Sequence, residues 1–412
     1  MTAAGADLLH DPAGLLAGDV ARLLPTAATA GAQVRAVADQ LSELPDLDRP
    51  RALVIAGPRA QQEAALLSAL AGSSLSAPIV AIDEIPSWVG ALDTVLVLAA
   101  DVHDEAASAA ADIAGRRGAT VIVRCAEAGP VAGAAGAAAT VLTVPMAAPE
   151  ALAWPARLAL LVSVGHRSGL LPRPDLPAWA AGLDAVAMAC HPSAEGFVNP
   201  AIILAEQLVA GTPLLIGADP VADALAGLAA GLLAELAGAP STVLSGRTAL
   251  SSPAVLRRAA TSTDLFADPI EQPAAAAVGV LLTMDLLGGP ARALSAVLPA
   301  APMVGPDLPA DPAQQDRSSY QRVAEVLLRW TFAAIYLGIT QGQLAPPDSP
   351  DGLGRIGTSL GDVRTEERGA FAPNTDLDSP DDADPADGFR SLGGLYGPGS
   401  NGPDEPSGGT SR

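Results

Sequence analysis

The side chains able to do chemistry form a short inventory, and its gaps are informative. All 23 basic residues are Arg, and Lys is absent. Without an ε-amine there is no Schiff base, lysine base or P-loop lysine, so pyridoxal enzymes and P-loop NTPases are excluded. Cys190-His191 is a tempting metal pair. No Cys or His follows it, however, and adjacent residues rarely make a site alone, so a structural role is preferred. Cys125 ends an apolar run and reads as a small core residue. No metal and no cofactor are expected. After one apolar run, Gly57-Pro58-Arg59-Ala60 offers a guanidinium that can grip an anion or stand solvated at a helix start. After another, Asp101 and Asp104 bracket His103. Such a carboxylate pair repels a dianion by on the order of 1 kcal/mol each in a partly buried site. Either Asp is equally a good N-cap for the helix that follows. Glu235 lies within the Ala/Leu-rich stretch Ala222–Leu236. Burial there would raise its pKa toward that of a base; a solvent-facing helix Glu is the alternative.

The elements that must position these groups follow from periodicity. Apolar residues at helical spacing, from Leu15 to Leu41, predict two helices separated at Pro25. Short β-branched runs then alternate with Ala-rich helical stretches. Strands are predicted at 52–56, 78–82, 94–98, 120–124 and 140–144, with helices at 61–71 and 104–117. Buried strands alternating with helices imply parallel βαβ units in a doubly wound sheet, whose ligands sit beyond the C-terminal strand ends. Helical stretches at 149–170 and 177–189 connect this half to a second α/β set. That set has helices at 199–209 and 221–237, and strands at 213–217, 241–244 and 277–283. Residues 251–275 read as loop. An amphipathic helix is expected over 314–340, with Val323, Val326, Leu327, Trp330, Ala334 and Leu337 on one stripe. Beyond about 362 apolar residues are too sparse to offset ordering entropy, which predicts disorder.

Half of the 412 residues are apolar, aromatics are 3%, and the net charge is -22. The acidic balance argues against nucleic acid and against an anionic membrane surface. Glu235 and Asp285 interrupt the longest apolar stretches, so no membrane span is expected. The first Arg is Arg22, after Asp7 and Asp11, so no secretory signal is read and a cytoplasmic location is expected. No G-x-G-x-x-G follows the first strand, only Gly57, which disfavours a Rossmann dehydrogenase.

Four stretches carry a resemblance to a known family. Residues 77–145 follow its order of strand, Pro-containing turn, strand, phosphate loop, helix and strand. NPAIILAEQLVAGTPLLIG (199–217) looks like the start of its second domain, and DLFADPIE (264–271) like its acidic loop. RWTFAAIYLGITQGQLAPP (329–347) looks like its closing helix. The chain thus resembles the bifunctional phosphoglucose/phosphomannose isomerases, tandem SIS-domain dimers, and is nearest to their divergent TobH-like branch. The resemblance implies an α/β fold of two SIS domains, each a flavodoxin-like, doubly wound parallel sheet, with a helical connector and a C-terminal helix. The implied divisions are N-terminal helices 1–44, first SIS domain 45–150, connector 151–195, second SIS domain with closing helix 196–345, and a disordered acidic tail 346–412. A homodimer is implied as well.

The family's phosphate loop has the form S-Y-S-G-N-T-E-E; here residues 99–106 read AADVHDEA, without hydroxyls. Its G-M-G-G-S loop is reduced to Gly57-Pro58-Arg59-Ala60, where Pro58 lacks an N–H. The catalytic Glu position falls on Glu235 in AELAG. No His stands in the matching region 245–252, and no Lys exists to assist. The family's Arg is replaced by the neighbourhood of Pro149-Glu150, with Arg157 two turns along. Groups acting as a unit are not additive, so losing most of them removes nearly all the rate. A catalytically degenerate, carbohydrate-derivative-binding SIS protein is therefore expected, with a sugar phosphate as ligand. Gly57, Arg59, Asp101, His103, Asp104 and Asn199 are its candidate ligand-binding residues. The alternatives are an isomerase using Glu235 as base, Arg59 as anion anchor and His103 as ring opener, or a dimeric interaction protein with no sugar ligand.

Overall fold

Leu53–Ala56 (β1) and Thr94–Leu98 (β3) are buried along their whole length, as parallel strands covered on both faces must be. With Ile79–Ile82 (β2), Thr120–Cys125 (β4) and Thr140–Thr143 (β5) they form a parallel sheet of order β2-β1-β3-β4-β5. A computed structural model describes residues 7–125, 129–144, 148–209, 211–259, 277–286, 288–307 and 318–343, within one compact unit, Met1–Asp348. The DLFADPIE stretch and the acidic tail from 346 lie outside the described residues.

Alternation along the strands sorts the core into layers. Leu53, Ile55, Leu96, Leu98, Ile122 and Leu142 face the main core. Val54, Ala56, Val95, Val97, Val121, Val123 and Cys125 face a separate cluster beneath helix Glu105–Arg116 (α5) and helix Pro130–Ala135 (α6). The α6 helix was not foreseen. Ahead of the sheet lie Pro12–Gly18 (α1), Leu23–Ala27 (α2) and Ala30–Gln40 (α3). The predicted break at Pro25 is corrected: Pro25 sits in the first turn of α2, where a missing N–H does no harm. The break falls instead at Asp19–Arg22. There Arg22 is left-handed, and Asp19 accepts from the Leu23 and Leu24 N–H groups.

The second sheet has order β7-β6-β8-β9, also parallel. Its strands are Thr212–Gly217 (β6), Thr242–Ser245 (β7), Ala277–Leu282 (β8) and the short Met303–Val304 (β9). Around the two sheets run helices Ala60–Ala71 (α4), Trp154–Arg167 (α7), Leu176–Ala189 (α8), Pro200–Val209 (α9) and Pro220–Ala237 (α10). Gly246–Leu250 (α11), Pro253–Ala259 (α12) and Gly289–Val297 (α13) cover the outer face of the second sheet, and Ser319–Thr340 (α14) closes the described chain. Part of the stretch read as loop is therefore helical, as α12. Asp followed by Pro recurs at helix starts: Asp11, Asp175 and Asp219 each accept from a backbone N–H, with Pro in the first turn.

The closing helix is not amphipathic. Every residue of α14 from Val323 to Ile339 is buried, among them Trp330, Phe332 and Tyr336. It packs against α8, α9 and α10, and Trp154 Nε1 donates to Thr331 Oγ1 at 3.1 Å. By length and composition α10 and α14 could each cross a membrane, but 50% and 94% of their apolar windows are buried inside the fold. Helices α4 and α10 pack on each other, joining the two sheets' layers.

Candidate functional site

The tips of the first sheet gather an unusual set of charges. Gly57 follows β1 with φ +147°, and a Cβ there would lie 2.5 Å from the Leu98 carbonyl oxygen. Only glycine allows the first and third strand tips to approach this closely. Two residues on, Arg59 begins α4 and turns inward rather than into solvent. Its side chain is 8% exposed, and Nη2 donates to Glu235 Oε2 at 2.5 Å, while Nε is buried without a partner. Of the two readings of Glu235, the structure has the solvent-facing one: its side chain is 46% exposed. Arg59 and Glu235 neutralise each other across the α4–α10 packing.

One turn further along α4, Glu63 faces a fully buried guanidinium. Arg157 Nε and Nη2 donate to the two Glu63 oxygens at 2.7 and 2.9 Å, and Nη1 donates to Glu150 Oε1. Burial works against the Arg157 charge. Glu63, then Glu150 and Glu235, outweigh it and push the group above the ordinary arginine value. The Glu150 carboxyl is pushed up by burial, with Arg157 and Arg59 opposing. A pair held this way is fragile in one direction: removing a single partner costs about 3–5 kcal/mol.

Arg124, the next-to-last residue of β4, shares the face of Ile122 and so points toward this cluster. It is 7% exposed. Burial, then the Arg157 charge, lowers its pKa to about 10, with Glu150 and Glu63 opposing. Among the described residues its guanidinium makes no hydrogen bond and no ion pair. It lines a cavity of about 200 Å³ bounded by the tips of β3, β4 and β5, helix α3 and the start of α7.

The loop after β3 has no phosphate grip. Asp104 Oδ1 accepts from the Ala107 N–H and Oδ2 from the Ala100 N–H, both at 2.9 Å, so Asp104 is the N-cap of α5. Asp101 Oδ1 accepts from the His103 N–H at 2.6 Å. His103 is exposed. Asn199 is wholly buried: Oδ1 accepts from the Ala201 and Ile202 N–H groups, and Nδ2 donates to the His191 carbonyl. It caps α9, apart from the charge cluster. Cys190 is buried, its thiol pushed up to about 12 by burial, and its carbonyl accepts from Tyr336 Oη. Among the described residues no group of three His, Cys, Asp or Glu could hold a metal.

At the tips of the second sheet the chemistry is different. Asp219 Oδ1 accepts from the Ala222 N–H at 2.9 Å, capping α10, while Oδ2 accepts from the Met284 N–H and Thr283 Oγ1 at 2.8 and 3.2 Å. One carboxylate thereby ties β6 to the end of β8. Asp223 Oδ1 is buried with no hydrogen-bond partner. Burial, then Asp219, raises the Asp223 pKa to about 6, with the Gly246 N–H opposing.

Sequence reading brought Arg59 and Glu235 forward, and the structure joins them. It left out Glu63 and Arg124 and gave Glu150 and Arg157 no partners. The available signal was a charge inside an otherwise buried segment: Arg124 in TVIVRC and Glu63 in an Ala/Leu helix.

No family model and no curated protein matches this chain. Solved structures do. A hypothetical protein from Thermus thermophilus superposes with TM-score 0.61 at 13% identity, over 88% of this chain and 95% of that one. A protein provisionally described as a phosphosugar isomerase from Clostridium difficile gives 0.55 at 10%, over 81% and 97%. Glucosamine-6-phosphate deaminase from Thermotoga maritima gives 0.54 at 10%, over 79% and 97%. Identities this low carry the fold alone. Five parallel strands in one sheet, four in the other and near-complete coverage of the matched chains lead to one conclusion: this chain has the α/β, two-domain SIS fold of the phosphosugar isomerases.

Proposed function

We propose that this chain is a SIS-fold binding protein for a carbohydrate derivative, of the divergent branch of the phosphoglucose/phosphomannose isomerases, and that it no longer isomerises. The observation that supports this reading is the Arg59–Glu235 pair. Aldose–ketose isomerisation needs a carboxylate free to carry a proton between C1 and C2, and a separate cation for the anionic end. Here the two groups occupy each other. The loop after β3 adds no hydroxyl, and Asp104 is consumed in capping. What remains at the crevice between β1 and β3 is the close-approach glycine and backbone N–H groups, enough for weak binding at a topological switch point.

With glucose 6-phosphate and mannose 6-phosphate, the purified chain is expected to show a concentration-dependent rise in melting temperature and no turnover in a coupled isomerase assay. Turnover that Glu235→Gln removes would establish instead an active isomerase, a reading that rests on the half-exposed Glu235 carboxylate. If neither sugar phosphate shifts the melting temperature, an interaction protein replaces the binding protein. A cytoplasmic homodimer completes the proposal. It is supported by the exposed Met188, Phe197 and Val198, at 71%, 75% and 59%, a density of apolar surface in one short segment that monomers seldom leave open. Sedimentation of wild type and Phe197→Asp tests it.

A further inference from the structure

We infer that the Arg124 cavity is a second ligand site, distinct from the β1–β3 crevice, and that it takes a small organic monocarboxylate with an apolar body. Its lining excludes Gly57, Arg59, Asp104 and Glu235 and meets the crevice only along the start of the loop after β3, Ala99 to Val102. Arg124 is more than nine-tenths buried and shares the Ile122 face that looks toward the cavity, and its guanidinium has no hydrogen-bonding or ionic partner among the described residues. A guanidinium brought this far out of water is normally paired, because an uncompensated buried charge is costly. The neighbouring carboxylates are already committed: Glu63 holds Arg157 with both oxygens, and Glu150 holds it as well. The Arg124 guanidinium is therefore left without a hydrogen-bonded anion, and the cavity it lines is where one fits. A planar carboxylate matches a guanidinium fork with two parallel hydrogen bonds.

The walls narrow the class. Ala36, Val37, Ala99, Leu142, Ala153 and Leu160 give the cavity an apolar body. Asp101 and Glu150 also border it, so every further negative charge on a ligand meets two carboxylates for one guanidinium, which disfavours a dianion such as a phosphate monoester more than a monoanion. The volume, about 200 Å³, compares with the ~150 Å³ that holds one benzene ring. A single ring or a short branched chain fills it, and a hexose phosphate does not.

Benzoate is the probe, titrated calorimetrically into the full-length chain beside its neutral isostere benzamide, inorganic phosphate and glucose 6-phosphate. Benzoate is expected to bind at least about tenfold more tightly than benzamide or phosphate, the increment of one charge-assisted fork. Arg124→Met keeps the side-chain volume and removes the charge; it should bring benzoate down to the benzamide level. Ala36→Leu, which leaves Arg124 in place and fills the cavity, should abolish benzoate binding and guards against misfolding of the first variant. Glucose 6-phosphate should bind equally well with and without benzoate. Benzoate that fails to bind, that binds Arg124→Met as well as wild type, or that binds more weakly than phosphate overturns the inference. Glucose 6-phosphate binding without benzoate binding would remove this site and leave the proposed function standing.

Discussion

The two sheets share a topology and part company at their tips. Around the first, three Arg (59, 124 and 157) meet three Glu (63, 150 and 235) in a largely buried, nearly balanced cluster that reaches from α4 to α7 and α10. Around the second, the described tip residues offer carboxylates and hydroxyls: Asp219 stitches β6 to the end of β8, and Asp223 lies beside it with Oδ1 buried and unpartnered. The first arrangement can accept an anion, because none of its three Glu is hydrogen-bonded to the Arg124 guanidinium. The second repels one. The same strand-tip geometry thus carries different charge chemistry in the two halves.

The comparison breaks most visibly at Arg157. Replacing it with Met strands Glu63 and Glu150 in the interior, and a loss of about 3–5 kcal/mol in urea unfolding is expected. Adding Glu63→Gln and Glu150→Gln should return much of it, since uncharged partners need no counterion. If Arg157→Met alone is neutral, the cluster is not the fastening described here. Next comes the second sheet's stitch. Asp219→Ala removes a helix cap and both ties to the end of β8, with an expected loss of about 2 kcal/mol in the same measurement.

A smaller effect separates the halves by pH. The folded Asp223 pKa, about 6, lies above its unfolded value, so the folded state holds the proton longer than the unfolded chain. Stability should therefore fall as pH rises from about 4 to about 6, by roughly 1 kcal/mol once solvent screening of this half-exposed residue is allowed for. Asp223→Asn should flatten that slope, read as the difference between the two proteins' unfolding free energies across the window. The smallest effect belongs to Glu235→Gln. Its pair with Arg59 is half open to water, so about 0.5–1 kcal/mol is expected from urea midpoints.

Much of the scaffold was legible in the chain. β1, β3 and β4 are built on the apolar runs Leu53–Ala56, Val95–Leu98 and Val121–Val123, and α4, α5 and α10 end within a residue or so of their predicted limits. What misled was charge in the interior. In α14 the polar face that suggested amphipathicity is buried with its needs met inside the fold: Gln321 donates to Glu325, and Arg329 donates to the Gly305 carbonyl and to Asp307. The charge cluster hid for a related reason. Glu63 and Arg157 stand 94 positions apart, and Arg59 and Glu235 176, so no local period links them. The two-residue β9 is too short to show any pattern. Asp104 was legible as a cap, because a cap needs only its own helix start; Asn199, expected only as a ligand residue, caps α9, and for both the ligand role competes with backbone N–H groups already bound.

The central claim, that this crevice has lost its proton relay, is tested most directly by isotope exchange. Glucose 6-phosphate incubated with the protein in deuterated buffer would take up deuterium at C2 if any enediol forms, however slow the turnover. The closed Arg59–Glu235 pair predicts incorporation no faster than in buffer alone. Incorporation that is clear with wild type and lost with Glu235→Gln would contradict the account.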